Sequence, residues 1–447
     1  MNRIVLRGYE KALPSRILPM VEGRLVDVVG LVLEATGCSA SMGDVYEVSD
    51  SRGGPILQAE VVGLRSDRTL LMPLGETAGL RIGASLRKVG HAAVAPVGQA
   101  LMGRVVDGLG HPIDGKGAVL FSGSAPLYGT NHNPLLRRPV RTPLPVGVRA
   151  IDGLLTLGEG QRIGIFAGGG VGKSSLLGMM VRNAAVDVSV VALVGERARE
   201  VEEFVNETLG KDGLARSIVV VATSADPPLL RARATLYAAT VADYFRARGQ
   251  RVLFVMDSLT RYAMARRDIA LSVGEPPATK GYTPSVFSAL PQLLERAGTR
   301  QGHGSITGIY TVLVEGDDMA DPIADTARAA LDGHIILSRE LAERGHFPAV
   351  DVPRSISRVM AGLVSPEHQA LARLLRETLA TYREVADLVA VGAYRKGSVS
   401  SMDAAIERMP TIEKFLRQGM DETSDVKQAV GALRNMFGEA LAEKMAS

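Results

Sequence analysis

Residues 162–180 read RIGIFAGGGVGKSSLLGMM, and this stretch decides how the chain is interpreted. It begins as an apolar run typical of a buried strand and ends as an amphipathic helix, with a glycine-rich turn between them. That is the context which a phosphate-binding loop requires. Ala167 stands where the usual pattern has its first glycine, but the Gly-Lys-Ser end that carries the chemistry is intact. The stretch therefore predicts a nucleotide phosphate site.

The glycines of this loop let the backbone turn its N–H groups toward one point, and the helix N-terminus adds partial positive charge. Lys173 is expected to reach the β- and γ-phosphates, and the Ser174 hydroxyl to ligate Mg²⁺. The predicted nucleotide-binding residues of the loop are Gly168, Gly169, Gly170, Val171, Gly172, Lys173, Ser174 and Ser175.

Two further apolar runs end in carboxylates. RVLFVMD, residues 251–257, ends in Asp257, which together with the phosphate loop predicts a Mg²⁺ ligand acting through a water. VVALVGERARE, residues 190–200, places Glu196 and Arg197 after another strand. A carboxylate at that position can polarise an attacking water, and a surface salt bridge is the alternative that the residues alone leave open.

Strand-like and helix-like runs alternate between residues 93 and 365, which predicts an α/β, RecA-like domain with a mainly parallel, doubly wound sheet. Residues 23–92 have short β-rich runs and predict a small β-barrel, and residues 366–447 predict a helical bundle. Residues 1–22 form an arm ahead of the barrel. Solvation and partner binding are both open for that arm.

Composition excludes several classes of protein. The 447 residues include 51 basic and 48 acidic side chains, a net charge of +3 that is spread without long like-charge blocks and argues against a dedicated nucleic-acid surface. The single cysteine, Cys38, cannot form an intrachain disulfide, and neither a signal peptide nor an apolar run of membrane-spanning length is present in the sequence. We therefore expect a soluble, cytoplasmic protein that does not bind nucleic acid.

Six motifs occur in an order that resembles the catalytic subunits of rotary ATP synthases and their export-ATPase relatives. They are AGGGVGKS, VGERARE, FVMDSLTRYAMARRDIA, GEPPATKGYTPSVFSALPQLLERAG, LDGHIILSREL and FPAVDVPRSISRVM. Within that superfamily, GLVLEATG, LVEGDDMADPIADTARAALDGHI and DLVAVGAYRKGS are similar to the flagellum-specific export ATPase and to the ATPase of type III injectisomes. TRYAMARRDIA and VEGDDMADPIAD favour the flagellar branch, and the injectisome branch is the alternative.

The resemblance implies roles for individual residues. Glu196 matches the residue that activates the hydrolytic water, and Arg197 and Arg261 match arginines of the nucleotide site. Phe347 matches the aromatic residue that packs against the adenine. Arg358 matches the arginine finger that one subunit inserts into its neighbour's site. Because one chain carries both Glu196 and Arg358, a homohexameric ring can contain complete ATPase sites.

The same resemblance implies ATP and Mg²⁺ as substrate and cofactor, and partners beyond the ring. These are an export regulator at the N-terminal arm, a central stalk protein, export chaperones and substrates, and a membrane export gate reached peripherally at the inner membrane. Residues 274–281, GEPPATKG, either contact a polypeptide or stalk at the ring centre or only shape subunit packing. A synthase subunit, a nucleic-acid translocase and a nucleotide-binding subunit without turnover are the competing functions.

Overall fold

The computed structural model describes residues 22–50, 54–91, 94–129, 133–302, 304–314, 316 and 318–446. The predicted N-terminal arm, residues 1–22, lies almost wholly outside the described residues. Two compact units emerge from the described part of the chain. One contains the residues up to Val94 together with Asp268–Glu275, and the other contains Ala95–Arg267 and Pro276–Ser447.

The strands are numbered along the chain. They are β1 (Glu22–Val29), β2 (Val32–Thr36), β3 (Asp44–Ser49), β4 (Pro55–Arg65), β5 (Arg68–Pro73), β6 (Ser85–His91), β7 (Val94–Val97), β8 (Val105–Asp107), β9 (Gly123–Pro126), β10 (Pro143–Leu144), β11 (Leu157–Gly158), β12 (Arg162–Ala167), β13 (Val188–Glu196), β14 (Ser217–Thr223), β15 (Arg251–Asp257), β16 (Gly298–Thr299), β17 (Ser305–Leu313), β18 (Gly333–Ile336) and β19 (Ile356–Ser357).

The α-helices are numbered in the same way. They are α1 (Arg149–Leu154), α2 (Lys173–Asn183), α3 (Ala198–Glu203), α4 (Gly210–Ala215), α5 (Pro228–Arg246), α6 (Leu259–Ser272), α7 (Pro284–Leu294), α8 (Pro322–Ala330), α9 (Arg339–Glu343), α10 (Pro366–Ala390), α11 (Ser400–Leu416) and α12 (Val426–Ala446). A π-helical segment, Phe204–Leu209, joins α3 to α4.

Strands β1 to β6 close into a barrel in the order β1-β2-β5-β4-β3-β6, with β6 pairing back onto β1. All pairs are antiparallel, and short turns connect most of them. Tyr46 and Leu33 are among the side chains that fill the interior. Closure removes the free sheet edges that would otherwise pair with other chains, and the predicted β-barrel is confirmed.

The second unit is built on a sheet whose order is β19-β18-β12-β17-β15-β13-β14-β8. From β18 to β8 every pairing is parallel, while β19 and β16 are antiparallel additions. β13 is buried from Val188 to Gly195, which explains why it reads as an uninterrupted apolar run. The predicted α/β class with a mainly parallel sheet is confirmed. Strands β12, β13 and β15 end at the same edge, which we call the carboxyl edge.

The C-terminal helices pack on this unit. α10 begins at Pro366, where the Ser365 hydroxyl accepts a hydrogen bond from the backbone N–H of His368 at 3.2 Å, an N-cap that satisfies a free donor. Apolar side chains of α10, α11 and α12, such as Leu375, Phe415 and Leu433, belong to the same hydrophobic core as the sheet. The helical C-terminal region was predicted, and it shares its core with the domain that carries the phosphate loop.

Among the residues described, no helix combines the length and apolar character needed to cross a bilayer.

Candidate active site at the carboxyl edge of the sheet

The phosphate loop connects the end of β12 to the start of α2. Gly170 and Gly172 have φ values of 77° and 86°, a left-handed conformation that only glycine adopts without strain. Gly172 immediately precedes Lys173, the first residue of α2, so the free N–H groups of the first helical turn face the loop. The two glycines explain how the backbone turns tightly enough to form an anion cradle.

Lys173 lies between the two predicted carboxylates. Its Nζ donates to Asp257 Oδ1 and lies 3.4 Å from Glu196 Oε1. Burial acts to lower the pKa of Lys173, but the charges of Asp257 and Glu196 outweigh it and raise that pKa. The side chain, which is only 12% exposed, is therefore held as a cation, the state that binds phosphate.

Asp257 is only 3% exposed and lies at the end of β15. The hydroxyl of Thr311, on neighbouring β17, donates to Asp257 Oδ1 at 2.7 Å. Thr311 and Lys173 therefore converge on one oxygen of this carboxylate. The two donors stabilise Asp257 in its buried position, because a buried carboxylate without such partners is strongly disfavoured.

Glu196 ends β13, next to the strand that carries Asp257. Burial, followed by the charge of Asp257, raises the pKa of Glu196 to about 7, against the opposing effect of Lys173. Its hydrogen bond with Glu200 raises the pKa further and lowers that of Glu200. A carboxylate with a pKa close to neutral is suited to accept a proton from water.

The two predicted arginines of this edge differ in position. A Cβ added to Gly195 would lie 2.9 Å from Cβ of Arg261, so the stem of Arg261 packs directly over the residue before Glu196. Arg197 points elsewhere: its side chain is 84% exposed, and its guanidinium lies 3.7 Å from Glu200. The structure thus places the stem of Arg261 against Gly195, the neighbour of Glu196 in sequence, and leaves Arg197 at the surface.

Phe347 lies against the phosphate loop. A Cβ added to Gly172 would be 3.2 Å from two carbons of the Phe347 ring, so the ring rests against the loop backbone. The side chain is 44% exposed, which is unusual for an ordinary core aromatic. An exposed ring beside a phosphate loop is a suitable surface on which to stack a base.

Arg358 lies at the other end of the sheet. It follows β19, and its backbone N–H donates to the Asp332 carbonyl at 3.0 Å, at the start of β18. Asp332 contacts Arg162, the first residue of β12, whereas the phosphate loop follows the last residue. The length of β12 separates the two by about 16 Å along the strand. Arg358 and the phosphate loop of the same chain are thus not brought together.

Comparison with known proteins identifies the family. Residues 147–357 match the nucleotide-binding domain of the ATP synthase alpha/beta family, residues 25–90 its beta-barrel domain, and residues 364–435 the T3SS EscN ATPase C-terminal domain. A flagellum-specific ATP synthase of Pseudomonas aeruginosa is 50% identical over 97% of this chain and 96% of its own. The chain belongs to the flagellar and type 3 secretion ATPase family.

Other relatives of this ATPase agree. A flagellum-specific ATP synthase of Salmonella typhimurium is 51% identical, covering 94% of this chain and 95% of its own, and a type 3 secretion system ATPase of Xanthomonas euvesicatoria is 49% identical over 94% of each. The solved structure of the assembled ATPase EscN of enteropathogenic E. coli matches with a TM-score of 0.88 at 43% identity, over 93% of this chain and 99% of that one. The predictions of family, enzyme class and an ATPase that energises type III export are confirmed.

The donor set of this ATPase fits a magnesium ion. Among the described residues, no group of three or more His, Cys, Asp and Glu side chains forms a metal cage. Mg²⁺ prefers one or two protein oxygens, with waters and substrate phosphates completing its shell. Ser174, exposed in the first turn of α2, and the buried Asp257 are oxygen donors of that kind.

Two residues of the ATPase site escaped the sequence analysis. Thr311 is a polar residue within the apolar run SITGIYTVL, and this interruption is the signal that marks it in the sequence. Gln418 is 95% buried, and its backbone N–H donates to the carbonyl of Phe347 at 2.9 Å, while its side chain donates to the Gly147 carbonyl at 2.7 Å. No local pattern links Gln418 to residues so distant in sequence.

Proposed function

We propose that this ATPase hydrolyses Mg-ATP at the interfaces of a ring of identical copies, and that it energises flagellar protein export. The observation that carries the ring is the position of Arg358. It is exposed and lies at the sheet edge opposite the phosphate loop of its own chain, which supports a role in a neighbour's site. A head-to-tail interface that repeats this contact forms a ring when its rotation closes.

Within each copy, the loop residues 168–172 and Ser175 bind the phosphates through the backbone and the first turn of α2. Lys173 moves from Asp257 and Glu196 to the β- and γ-phosphates when nucleotide enters. Ser174 would hold Mg²⁺ directly and Asp257 would hold it through a water, and the bound ion would neutralise charge on the phosphate oxygens.

Glu196 is proposed as the general base. It orients a water in line with the γ-phosphate and accepts a proton from it as the oxygen–phosphorus bond forms and the bond to ADP breaks. Arg261, held against Gly195, and Arg197, which must turn from its surface contact, steady the phosphate oxygens. The neighbour's Arg358 stabilises the charge that spreads over the transferring phosphoryl group.

The activity should depend on pH through Glu196. Since its pKa is raised to about 7, the base is protonated and inactive below that value and ionised above it. The free-enzyme parameter kcat/KM should therefore fall as pH is lowered through about 7. Initial rates at limiting ATP across this range test the prediction, and a profile that stays flat well below pH 7 would contradict it.

Phe347 is proposed to stack on the adenine. Phe347→Ala should raise KM for ATP roughly fivefold, the equivalent of about 1 kcal/mol of lost stacking, with little change in kcat. Phe347→Tyr is the matched control and should behave as wild type, because it retains the ring. An alanine variant with an unchanged KM would rule out stacking at this position.

Relatives support the assembly. The EscN ATPase was solved in assembled form and in complex with its central stalk EscO. We propose that this chain likewise forms a homohexamer that receives a central stalk protein. The ring model predicts that the turnover number rises with protein concentration until assembly is complete, because dilute copies lack the neighbour's Arg358. A turnover number independent of concentration would refute it.

The remaining partners are proposals carried from the family resemblance. They are an export regulator at the N-terminal arm, chaperones with their export substrates, and the membrane export gate at the inner membrane, without nucleic acid. Residues 276–281 are exposed, which suits contact with a stalk or polypeptide. Deleting the gene distinguishes the branches: loss of flagellar filaments with intact effector secretion supports the flagellar assignment, and the reverse supports an injectisome.

A further inference from the structure

The turn before β18 is attached to the strand that carries the phosphate loop. The Arg162 guanidinium donates to both oxygens of Asp332, from Nε at 3.1 Å and from Nη2 at 3.0 Å. The backbone N–H of Arg162 donates to the same carboxylate at 2.9 Å, and the N–H of Asp332 donates to the Arg162 carbonyl at 2.8 Å. Four hydrogen bonds thus connect these two residues.

Arg358 is held by this same turn. Its backbone N–H donates to the Asp332 carbonyl, and its Nη1 donates to the Leu331 carbonyl at 3.2 Å. A Cβ on Gly333 would lie 2.4 Å from the Ile356 carbonyl oxygen, so β18 and β19 are in close contact here. Arg358 therefore contacts this turn twice, once through its backbone N–H and once through its guanidinium, and Arg162 bonds the same turn.

Arg162 is itself well fixed. It also donates through Nη1 to Glu295, and its side chain is only 16% exposed. The carboxylates of Asp332 and Glu295 raise its pKa despite its burial, so it remains charged. Its strand, β12, runs directly into the phosphate loop at the other end.

We propose that Asp332, which is hydrogen-bonded to Arg162, is a positioning residue that sets the geometry of Arg358 in the neighbouring subunit's site. This inference rests on the proposed ring function, in which Arg358 acts between subunits. One strand, β12, then leads into the phosphate loop at its end and, through Arg162 and Asp332, holds Arg358 at its start. Loss of the hydrogen bonds between Arg162 and Asp332 should impair the neighbour's site while leaving the chain's own site intact.

The sheet contains a second pair that serves as a matched control. Asp187 precedes β13, and Arg251 begins the adjacent β15. Arg251 donates to Asp187 from its backbone at 2.7 Å, from Nε at 3.3 Å and from Nη2 at 2.9 Å, and the Asp187 N–H donates to the Arg251 carbonyl at 2.9 Å. The four bonds repeat those of Arg162 and Asp332, but Arg358 contacts neither member.

The first experiment compares Asp332→Asn with Asp187→Asn. Asp332→Asn should lower kcat roughly 10- to 100-fold through misplacement of the finger, with KM and nucleotide affinity changed little. Asp187→Asn should retain wild-type kcat. Thermal unfolding and sedimentation of both variants show whether folding and ring assembly are preserved. Equal losses of kcat in the two variants would overturn the proposal.

The second experiment mixes subunits. Glu196→Gln copies have a dead site but supply an intact finger, so they should restore the sites owned by Asp332→Asn copies. In a randomly ordered one-to-one ring, about a quarter of the interfaces join an intact Glu196 to a well-placed Arg358. The mixture should therefore exceed the mean activity of the two parents. No gain on mixing would show that Asp332→Asn damages its own site, and the proposal would fail.

A mixture of Arg358→Ala with Glu196→Gln tests the proposed interface site separately from the role of Asp332. If that mixture also shows no gain, the proposed interface site itself is wrong. If it shows a gain and the Asp332→Asn mixture does not, the ring function stands and only the role of Asp332 is lost.

Discussion

Arg358→Ala is expected to reduce the turnover number by about 10³-fold or more, the range found for arginine fingers that act on a transferring phosphoryl group. The physical reason is that Arg358 contributes charge where the transition state has most of it, and a truncated side chain leaves that charge exposed to water. Nucleotide affinity should change far less, because the phosphate loop of the same chain is intact. Steady-state phosphate release at saturating protein concentration, with nucleotide binding measured separately, checks both statements.

The control is Arg373→Ala. Arg373 is an exposed arginine on α10 whose closest charge partner is Glu377 at 3.8 Å, an ion pair of the kind that contributes little. This variant should hydrolyse ATP at the wild-type rate. If Arg358→Ala is as active as Arg373→Ala, hydrolysis does not require a finger, and the interface site has to be abandoned.

Glu196→Gln should lower kcat by about 10²- to 10⁴-fold, the usual contribution of a general base. Glutamine keeps the size of the side chain and its hydrogen-bonding ability but cannot accept a proton from water. Lys173 then retains Asp257 as a partner, so nucleotide should still bind. Single-turnover measurements with prebound ATP separate the loss of chemistry from any loss of binding.

Glu203→Gln is the matched substitution. Glu203 lies on α3, one helix beyond Glu196, and pairs with Arg199 at the surface at 2.7 Å. It should leave the rate unchanged. Retention of full activity by Glu196→Gln would assign the base elsewhere, and the dependence of kcat/KM on pH should then persist in that variant.

Much of the catalytic edge was predictable because the signals are local. A phosphate loop joins a strand to the helix that follows it, so Lys173 and Ser174 are recognisable within a few residues. Asp257 and Glu196 each end a run that is apolar throughout, and the ends of parallel strands meet at one edge. The burial of β12, β13 and β15 matches those apolar runs, and the structure brings both carboxylates to Lys173.

The parts that were not predictable depend on long-range pairing. Strand alternation indicates a parallel sheet but not the order β18-β12-β17-β15-β13, which puts Thr311 beside Asp257. The separation of Arg358 from the phosphate loop follows from the pairing of β19 with the start of β18, a short antiparallel addition without a sequence signal. Roles for Glu196, Arg358 and Phe347 came from family resemblance, and they stay predictions until the variants are measured.

Gln418 has a consequence for anyone who shortens or fuses this protein. This buried residue connects the segment after α11 to two distant parts of the chain. Its backbone N–H donates to the carbonyl of Phe347, and its side-chain amide donates to the Gly147 carbonyl and accepts from the backbone N–H of Arg149, at the start of α1. Cleaving the polypeptide ahead of α10 would therefore not liberate a self-sufficient catalytic module. It would remove the residue that bonds the Phe347 carbonyl and would uncover apolar surface. Tags and reporters should leave α10, α11 and α12 intact, because apolar side chains of all three helices belong to the core.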